Sequence, residues 1–167
     1  MDIFKFAMQM ELDGQRFYEQ SAANSPVREL REVFLNLADE EKRHYRLFKK
    51  LSEGATAESA RELVGGAMKT GRNVFVRLIE SKESNSFGSQ VSEVWKKARE
   101  IEEHSVKLYS EEASRTADSD RKALLGRIAD EERSHVYLID NVLAFLADPV
   151  SFAESQQFAA FKSWEGR

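Results

Sequence analysis

Cysteine is absent from the 167-residue chain, which excludes disulfide scaffolds, thiolate zinc sites, iron–sulfur clusters and cysteine nucleophiles. Proline and glycine are scarce, at 2 and 8 residues, so the chain lacks the turn residues that a many-stranded β fold needs. No export signal is recognisable, and no apolar run approaches the roughly 18 residues of a transmembrane helix. A net charge of -4 provides no basic field for a polyanion. We therefore expect a cytoplasmic protein that binds neither nucleic acid nor a membrane.

Turn-forming residues divide the chain into four long helical segments. The predicted helices cover residues 2–23, 27–53, 89–116 and 119–147. Short turns after the first and third helices indicate two antiparallel hairpins, and the connection 54–88, with a shorter helix at 72–83, is long enough to cross the whole bundle. The sequence thus predicts an all-α four-helix bundle over residues 1–147. A tail at 148–167 is expected to dock as a short helix on the bundle or on a second subunit.

Each long helix carries an apolar stripe with alternating spacings of three and four residues. Ionisable residues interrupt every stripe near its middle, where a helix face normally enters the core. The six interrupting residues are Glu11, Glu41, His44, Glu102, Glu132 and His135.

The two halves of the sequence repeat at an offset of 91 residues. The shift lays ADEEKRH (38–44) on ADEERSH (129–135), and it lays Glu11 on Glu102. Two equivalent hairpins joined by a long crossover are related by a pseudo-two-fold axis perpendicular to the bundle. Such an axis places the two ionisable sets opposite each other in one layer.

The layer has the donor set of a two-metal site. Residues three apart project to the same side of a helix, so each Glu-x-x-His pair can reach one interior point. Four uncompensated carboxylates in an apolar interior would cost several kcal/mol each. Two divalent cations would neutralise them, and carboxylate with imidazole but no sulfur suits iron or manganese, with zinc as a possible occupant.

This doubled Glu and Glu-x-x-His pattern, with 30 residues from Glu11 to Glu41 and from Glu102 to Glu132, resembles the ferritin-like di-iron superfamily. The resemblance is closest to its rubrerythrin-like branch and covers residues 1–147. It implies a ferritin-like bundle that holds two Fe ions. Glu41 and Glu132 would bridge the irons, Glu11 and Glu102 would be terminal ligands, and His44 and His135 would each bind one iron.

Two tyrosines extend this pattern. Tyr18 and Tyr109 lie seven residues after Glu11 and Glu102 on the same helix faces, where a phenol can hydrogen-bond a ligating carboxylate from the facing half. Simple packing as core aromatics explains them equally well.

The sequence departs from typical rubrerythrins in two places. Those proteins carry a second Glu three residues after the first on the third helix, and this chain has Ser105 there. They also carry a cysteine-ligated rubredoxin module, which a chain without cysteine lacks.

The resemblance implies a di-iron oxidoreductase that reduces hydrogen peroxide or dioxygen with electrons from a separate donor protein. One alternative is a ferroxidase or an iron storage and handling protein. Another is a non-catalytic bundle that binds metal only for stability. We expect a homodimer or a higher homo-oligomer.

The remaining polar residues near the pattern are expected on solvated surfaces, and His104 is expected either on a surface or at an interface. They are Asp39, Glu40, Glu100, Glu103, His104, Asp130 and Glu131. Gly14 and Ser105 occupy equivalent positions in the repeat, and their small size predicts either close helix packing or room for an oxygen ligand.

Overall fold

The computed structural model describes residues 2–66, 68–82 and 87–166. The prediction of an all-α ferritin-like bundle with a short C-terminal helical segment is confirmed. The four long helices are α1 (Ile3–Asn24), α2 (Arg28–Ser52), α5 (Ser89–Arg115) and α6 (Ser119–Ala147). Their bounds fall within one residue of the predicted ones.

The crossover between α2 and α5 contains α3 (Ala57–Ala60), a 3₁₀ turn (Arg61–Leu63) and α4 (Lys69–Ser81). The helix predicted at 72–83 is therefore α4, which begins three residues earlier. Residues 1, 67, 83–86 and 167 of the predicted segments lie outside the described ranges. Among the described helices, none combines the length and apolar character that a membrane crossing requires.

Local sequence explains where the long helices begin and end. The carboxylate of Asp2 accepts the backbone N–H of Phe4 at 3.0 Å, and Asp118 caps the start of α6 in the same way. Ser25 and Pro26 end α1 at the first hairpin turn, because proline cannot continue a helix. The result is two antiparallel hairpins, α1 with α2 and α5 with α6, which pack along their lengths.

Two apolar cores lie at opposite ends of the bundle. One is built around Leu30, Phe34 and Trp95, with the rings of Phe34 and Trp95 stacked at 4.0 Å. The other contains Phe48 and Leu124. On each long helix, the residues of one core are separated from those of the other by the ionisable residues that interrupt the apolar stripe. The bundle therefore has a polar layer between two apolar cores.

The C-terminal segment packs on the bundle of its own chain. It forms two short helices, α7 (Pro149–Ala153) and α8 (Gln156–Ser163), where one was predicted. The ring of Phe161 is fully buried and lies 5.5 Å from that of Phe75 on α4. The carbonyl of Gly166 also accepts the backbone N–H of Met68 at 2.8 Å. The tail thus fastens α4 of the crossover to the end of the bundle.

We expect Phe161→Ala to lower the free energy of unfolding by about 3–5 kcal/mol, because it leaves a cavity where the tail meets α4. Val150→Ala in the same tail should change it by less than about 0.5 kcal/mol, since Val150 is 61% exposed. Urea denaturation followed by circular dichroism measures both. Equally small effects of the two substitutions on the free energy of unfolding would show that the tail adds no stability by docking.

Candidate metal centre

The six residues predicted from the stripe pattern meet in the polar layer. Glu11 comes from α1, Glu102 from α5, and each Glu-x-x-His pair from α2 or α6. All six are at most 1% exposed. The six lie in one layer because each interrupts the inward face of its helix at the same height.

Their donor atoms fall into two overlapping groups. One consists of Glu11, Glu41, His44 and Glu132, and the other of Glu41, Glu102, Glu132 and His135. Within each group the donor atoms lie within 4.8 Å of one another. Glu41 and Glu132 belong to both groups, and each group is completed by one further Glu and one His. This arrangement can hold two cations with two carboxylates between them.

Both imidazoles present Nδ1 to the layer. Nδ1 of His44 lies 2.9 Å from Oε1 of Glu132, and Nδ1 of His135 lies 3.0 Å from Oε2 of the same carboxylate. The two rings are stacked with their centroids 6.0 Å apart. Glu132 therefore sits between the histidines with one oxygen facing each.

The two tyrosines cross between the halves. The hydroxyl of Tyr18 on α1 donates to Glu102 on α5, and the hydroxyl of Tyr109 on α5 donates to Glu11 on α1. Burial, and then the nearby carboxylates, raise the pKa of both phenols well above their ordinary value. Each phenol thus remains a proton donor and holds one carboxylate in place.

Three buried carboxylates of the layer have pKa values far from their ordinary ones. Burial and the neighbouring Glu11 and Glu102 carboxylates raise the pKa of Glu41 well above its ordinary range. Burial likewise raises the pKa of Glu102 to about 8. Burial raises the pKa of Glu132, yet the two imidazoles outweigh it and lower that pKa well below its usual value.

The imidazoles respond in the opposite sense. Burial lowers the pKa of His44, but the charge of Glu132 outweighs it and raises that pKa well above its ordinary value. In the same way, Glu102 more than offsets the burial of His135 and raises its pKa to about 10. The layer therefore attracts positive charge, either as protons or as cations.

Several buried donor atoms in the layer lack a hydrogen-bond partner. Among the described residues they include Oε2 of Glu11, Oε1 of Glu41, Nδ1 of His44 and both oxygens of Glu132. The Glu132 oxygens lie 2.9 and 3.0 Å from imidazole nitrogens, but without the alignment of a hydrogen bond. Leaving a buried polar atom unpaired costs about 1–3 kcal/mol, so a native interior pairs nearly all of them. All of these atoms belong to the two donor groups. The residues present therefore fit a pair of metal ions.

Sequence reasoning missed an ion-pair network on the outer side of His44. Glu131 and Glu40 were expected on solvated surfaces, but Glu40 is 7% exposed and the Glu131 side chain 11%. Oε2 of Glu131 lies 2.9 Å from Nε2 of His44 and 2.7 Å from a guanidinium nitrogen of Arg43. Burial raises the pKa of Glu131, but the opposite effect of His44 and Arg43 is larger and lowers this pKa to about 2. The expectation failed because a long cation on α2 reaches across to α6.

The other expected surface residues are exposed. They are Asp39, Glu100, Glu103, His104 and Asp130.

Gly14 is small for a reason that the sequence did not reveal. A Cβ atom at Gly14 would lie 2.5 Å from Oε2 of Glu41, inside van der Waals contact. The nearest atoms belong to the Glu41 side chain of α2 and not to the backbone of a neighbouring helix. Gly14 leaves space for Glu41 to occupy its place in the layer.

A groove between α1 and α5 passes over this position. It has a volume of about 340 Å³. The repeat relates three pairs of its lining residues, which are Met10 and Ile101, Asp13 and His104, and Gly14 and Ser105. The groove therefore lies on the pseudo-two-fold axis of the bundle, beside the layer of donors.

The Rubrerythrin family model matches residues 2–143 of the chain. That family belongs to the ferritin-like di-iron superfamily and typically binds two irons. No curated protein and no solved structure matches the chain at a significant level. The match covers all four long helices except the last residues of α6.

We expect Gly14→Ala to weaken metal binding while leaving the fold intact. The added Cβ displaces only the end of a flexible Glu41 side chain, so the helices need not move. Ser105→Ala, at the repeat-related position, should leave metal content unchanged. Metal analysis and thermal melting of the two variants test these expectations. Full metal content in Gly14→Ala would contradict this account of Gly14.

We expect pH to act in opposite directions on the metal-free and metal-loaded protein. Glu102, with its pKa raised from 4.5 to about 8, and His135, with its pKa raised from 6.5 to about 10, bind protons more tightly in the folded state. Their contributions are complete below the lower value of each pair and are lost as pH rises toward the higher one. Between about pH 6.5 and 8, the metal-free protein therefore loses the stabilising contributions of both groups as pH rises.

Metal binding requires ionised carboxylates and neutral imidazoles, so it strengthens as pH rises and fails on acidification. Melting temperature with chelator should therefore fall from pH 6.5 to 8, while the increase caused by added Mn²⁺ should grow. Metal should begin to dissociate near or below about pH 6. Two metals retained at about pH 4 would contradict histidine ligation.

Proposed function

Because the chain belongs to the rubrerythrin family, we propose that it is a di-iron oxidoreductase that reduces hydrogen peroxide or dioxygen with electrons from a separate donor protein. The observation that carries this proposal is the pair of donor groups sharing Glu41 and Glu132. When bound, the iron pair supplies the electron-transfer chemistry. The protein supplies geometry, charge and a shielded layer.

The named residues divide this work between them. Glu41 and Glu132 would bridge the two ions, while Glu11 with His44 and Glu102 with His135 would complete the two positions. Tyr18 and Tyr109 would fix the terminal carboxylates through their hydrogen bonds. The apolar cores on either side keep bulk water from the layer.

Peroxide or dioxygen is supported as the oxidant by the form of the groove between α1 and α5. At about 340 Å³ it admits a small molecule such as either oxidant. The 167 residues contain no cysteine, so they contain no thiolate-bound iron to pass electrons to the layer. A separate donor, and association of the chain as a homodimer or a higher homo-oligomer, are further parts of this proposal.

The test begins with the iron-loaded protein, which should contain two irons per chain. After anaerobic reduction, a pulse of hydrogen peroxide should reoxidise both irons and consume about one peroxide per iron pair, since peroxide accepts two electrons and each ferrous ion gives up one. Glu132→Ala should lose metal more completely than Glu11→Ala, because a bridging ligand contacts both ions. Absorption spectroscopy and metal analysis follow both results.

One iron per chain, or none, would contradict the di-iron assignment. Two irons that neither peroxide nor dioxygen reoxidises would instead favour a bundle that binds metal only for stability. Equal metal loss in the Glu11 and Glu132 variants would overturn the bridging assignment. A closed particle of many subunits in solution would favour iron storage.

A further inference from the structure

The surroundings of the two donor groups are not equivalent, although the sequence repeat makes their residues equivalent. The offset of 91 residues pairs Glu40 with Glu131, His44 with His135 and Arg43 with Ser134. The last pair is a mismatch. It replaces a long, always charged side chain in one half by a short hydroxyl in the other.

On the side of His44, the mismatch builds a closed network. Arg43 joins Glu131 at 2.7 Å and Glu40 at 2.6 Å, and Glu131 accepts from Nε2 of His44 at 2.9 Å. Glu131 belongs to α6 and His44 to α2, so the network connects the two Glu-x-x-His helices outside the layer.

The crossover completes this network with backbone groups. The N–H of Gly65 donates to the second oxygen of Glu131 at 2.5 Å, and Arg43 donates to the carbonyl of Leu63. Gly65 has a φ of +98°, a backbone conformation that suits glycine. A Cβ at Gly66 would collide with the side chains of Arg43 and Glu40. Residues 63–66 therefore fit closely over the outer side of the His44 position.

His135 has no matching support among the described residues. The carboxylates within 4.0 Å of its ring are Glu41, Glu102 and Glu132, and all three face Nδ1. These are ligands of the layer itself. In His44, by contrast, the Nε2–H group donates a hydrogen bond to Glu131. This bond fixes the tautomer whose Nδ1 lone pair points into the layer.

We propose that Glu131, held by Arg43 and residues 63–66, is a positioning residue that makes the His44 position the tighter of the two. Divalent metal then binds first beside His44 and second beside His135, so the protein passes through a state with one metal. The inference rests on the proposed metal pair. An outer hydrogen-bond partner of a ligating histidine changes metal affinity by about 10- to 100-fold, which is the separation expected between the two steps.

The experiment is a titration of metal-free protein with Co²⁺, without oxidant, followed by calorimetry and visible absorption. The wild type should bind two ions in two steps. Glu131→Gln should weaken the first step by about 10- to 100-fold and leave the second near its wild-type affinity. Glu40→Gln is the matched control, because Glu40 shares Arg43 but is not a partner of His44, and it should weaken the first step much less than Glu131→Gln does.

Two ligand variants assign the steps independently of Glu131. His135→Ala should keep the tight step, and His44→Ala should lose it. These two variants decide the order of binding even if Glu131→Gln does not fold. The Zn²⁺-loaded protein labelled with ¹⁵N-histidine adds a direct signature, since the chain has only 3 His. One slowly exchanging Nε2 proton, assigned to His44, should be present in the wild type and lost in Glu131→Ala.

Each outcome separates the inference from the proposed function. Failure of any Co²⁺ to bind would contradict the metal pair itself. Two ions bound with equal affinity, an equal loss of both steps in Glu131→Gln, or a tight step that survives in His44→Ala would leave the metal pair intact and overturn the unequal positions.

Discussion

Four carboxylates buried between two apolar cores are the feature on which the rest of the structure depends. These carboxylates are at most 1% exposed, so their charge must be compensated within the layer, and burial accordingly raises the pKa of Glu41 and Glu102. Two imidazoles and two phenols satisfy part of this demand, but several donor atoms stay unpaired. The layer is therefore built for cations, and the apolar cores provide the stability that offsets its cost.

The fold and the convergence of the six residues in one layer could be predicted from the sequence because both depend on periodicity. A helix face that enters the core must be apolar, so a glutamate or histidine in its middle needs a compensating partner. The repeat strengthened the prediction, because Glu11 and Glu102 lie in different helices and are linked only by the offset of 91 residues. Helix ends could also be predicted, because turn-forming residues separate the helical segments.

The network around Arg43 and Glu131 could not be predicted in the same way. Glu131 precedes a donor by one residue, which places it about 100° away on the helix and suggests a solvated face. Its burial depends on a guanidinium from α2 and on the backbone of residues 63–66, neither of which follows from periodicity. Gly14 is similar, because its contact with Glu41 crosses between helices. The available signal was the mismatch of Arg43 with Ser134 inside an otherwise matching repeat.

The same mismatch shows why a duplicated bundle has unequal halves. Two hairpins can be related by a two-fold axis, but one chain joins them through a single crossover, which has no symmetric counterpart. Here α4 packs against α2, and residues 63–66 reach the outer side of the His44 position. An arginine is useful where a carbonyl and two carboxylates converge, as they do around Arg43. The single crossover and the Arg43 side chain together therefore distinguish two donor groups whose residues are equivalent in the repeat.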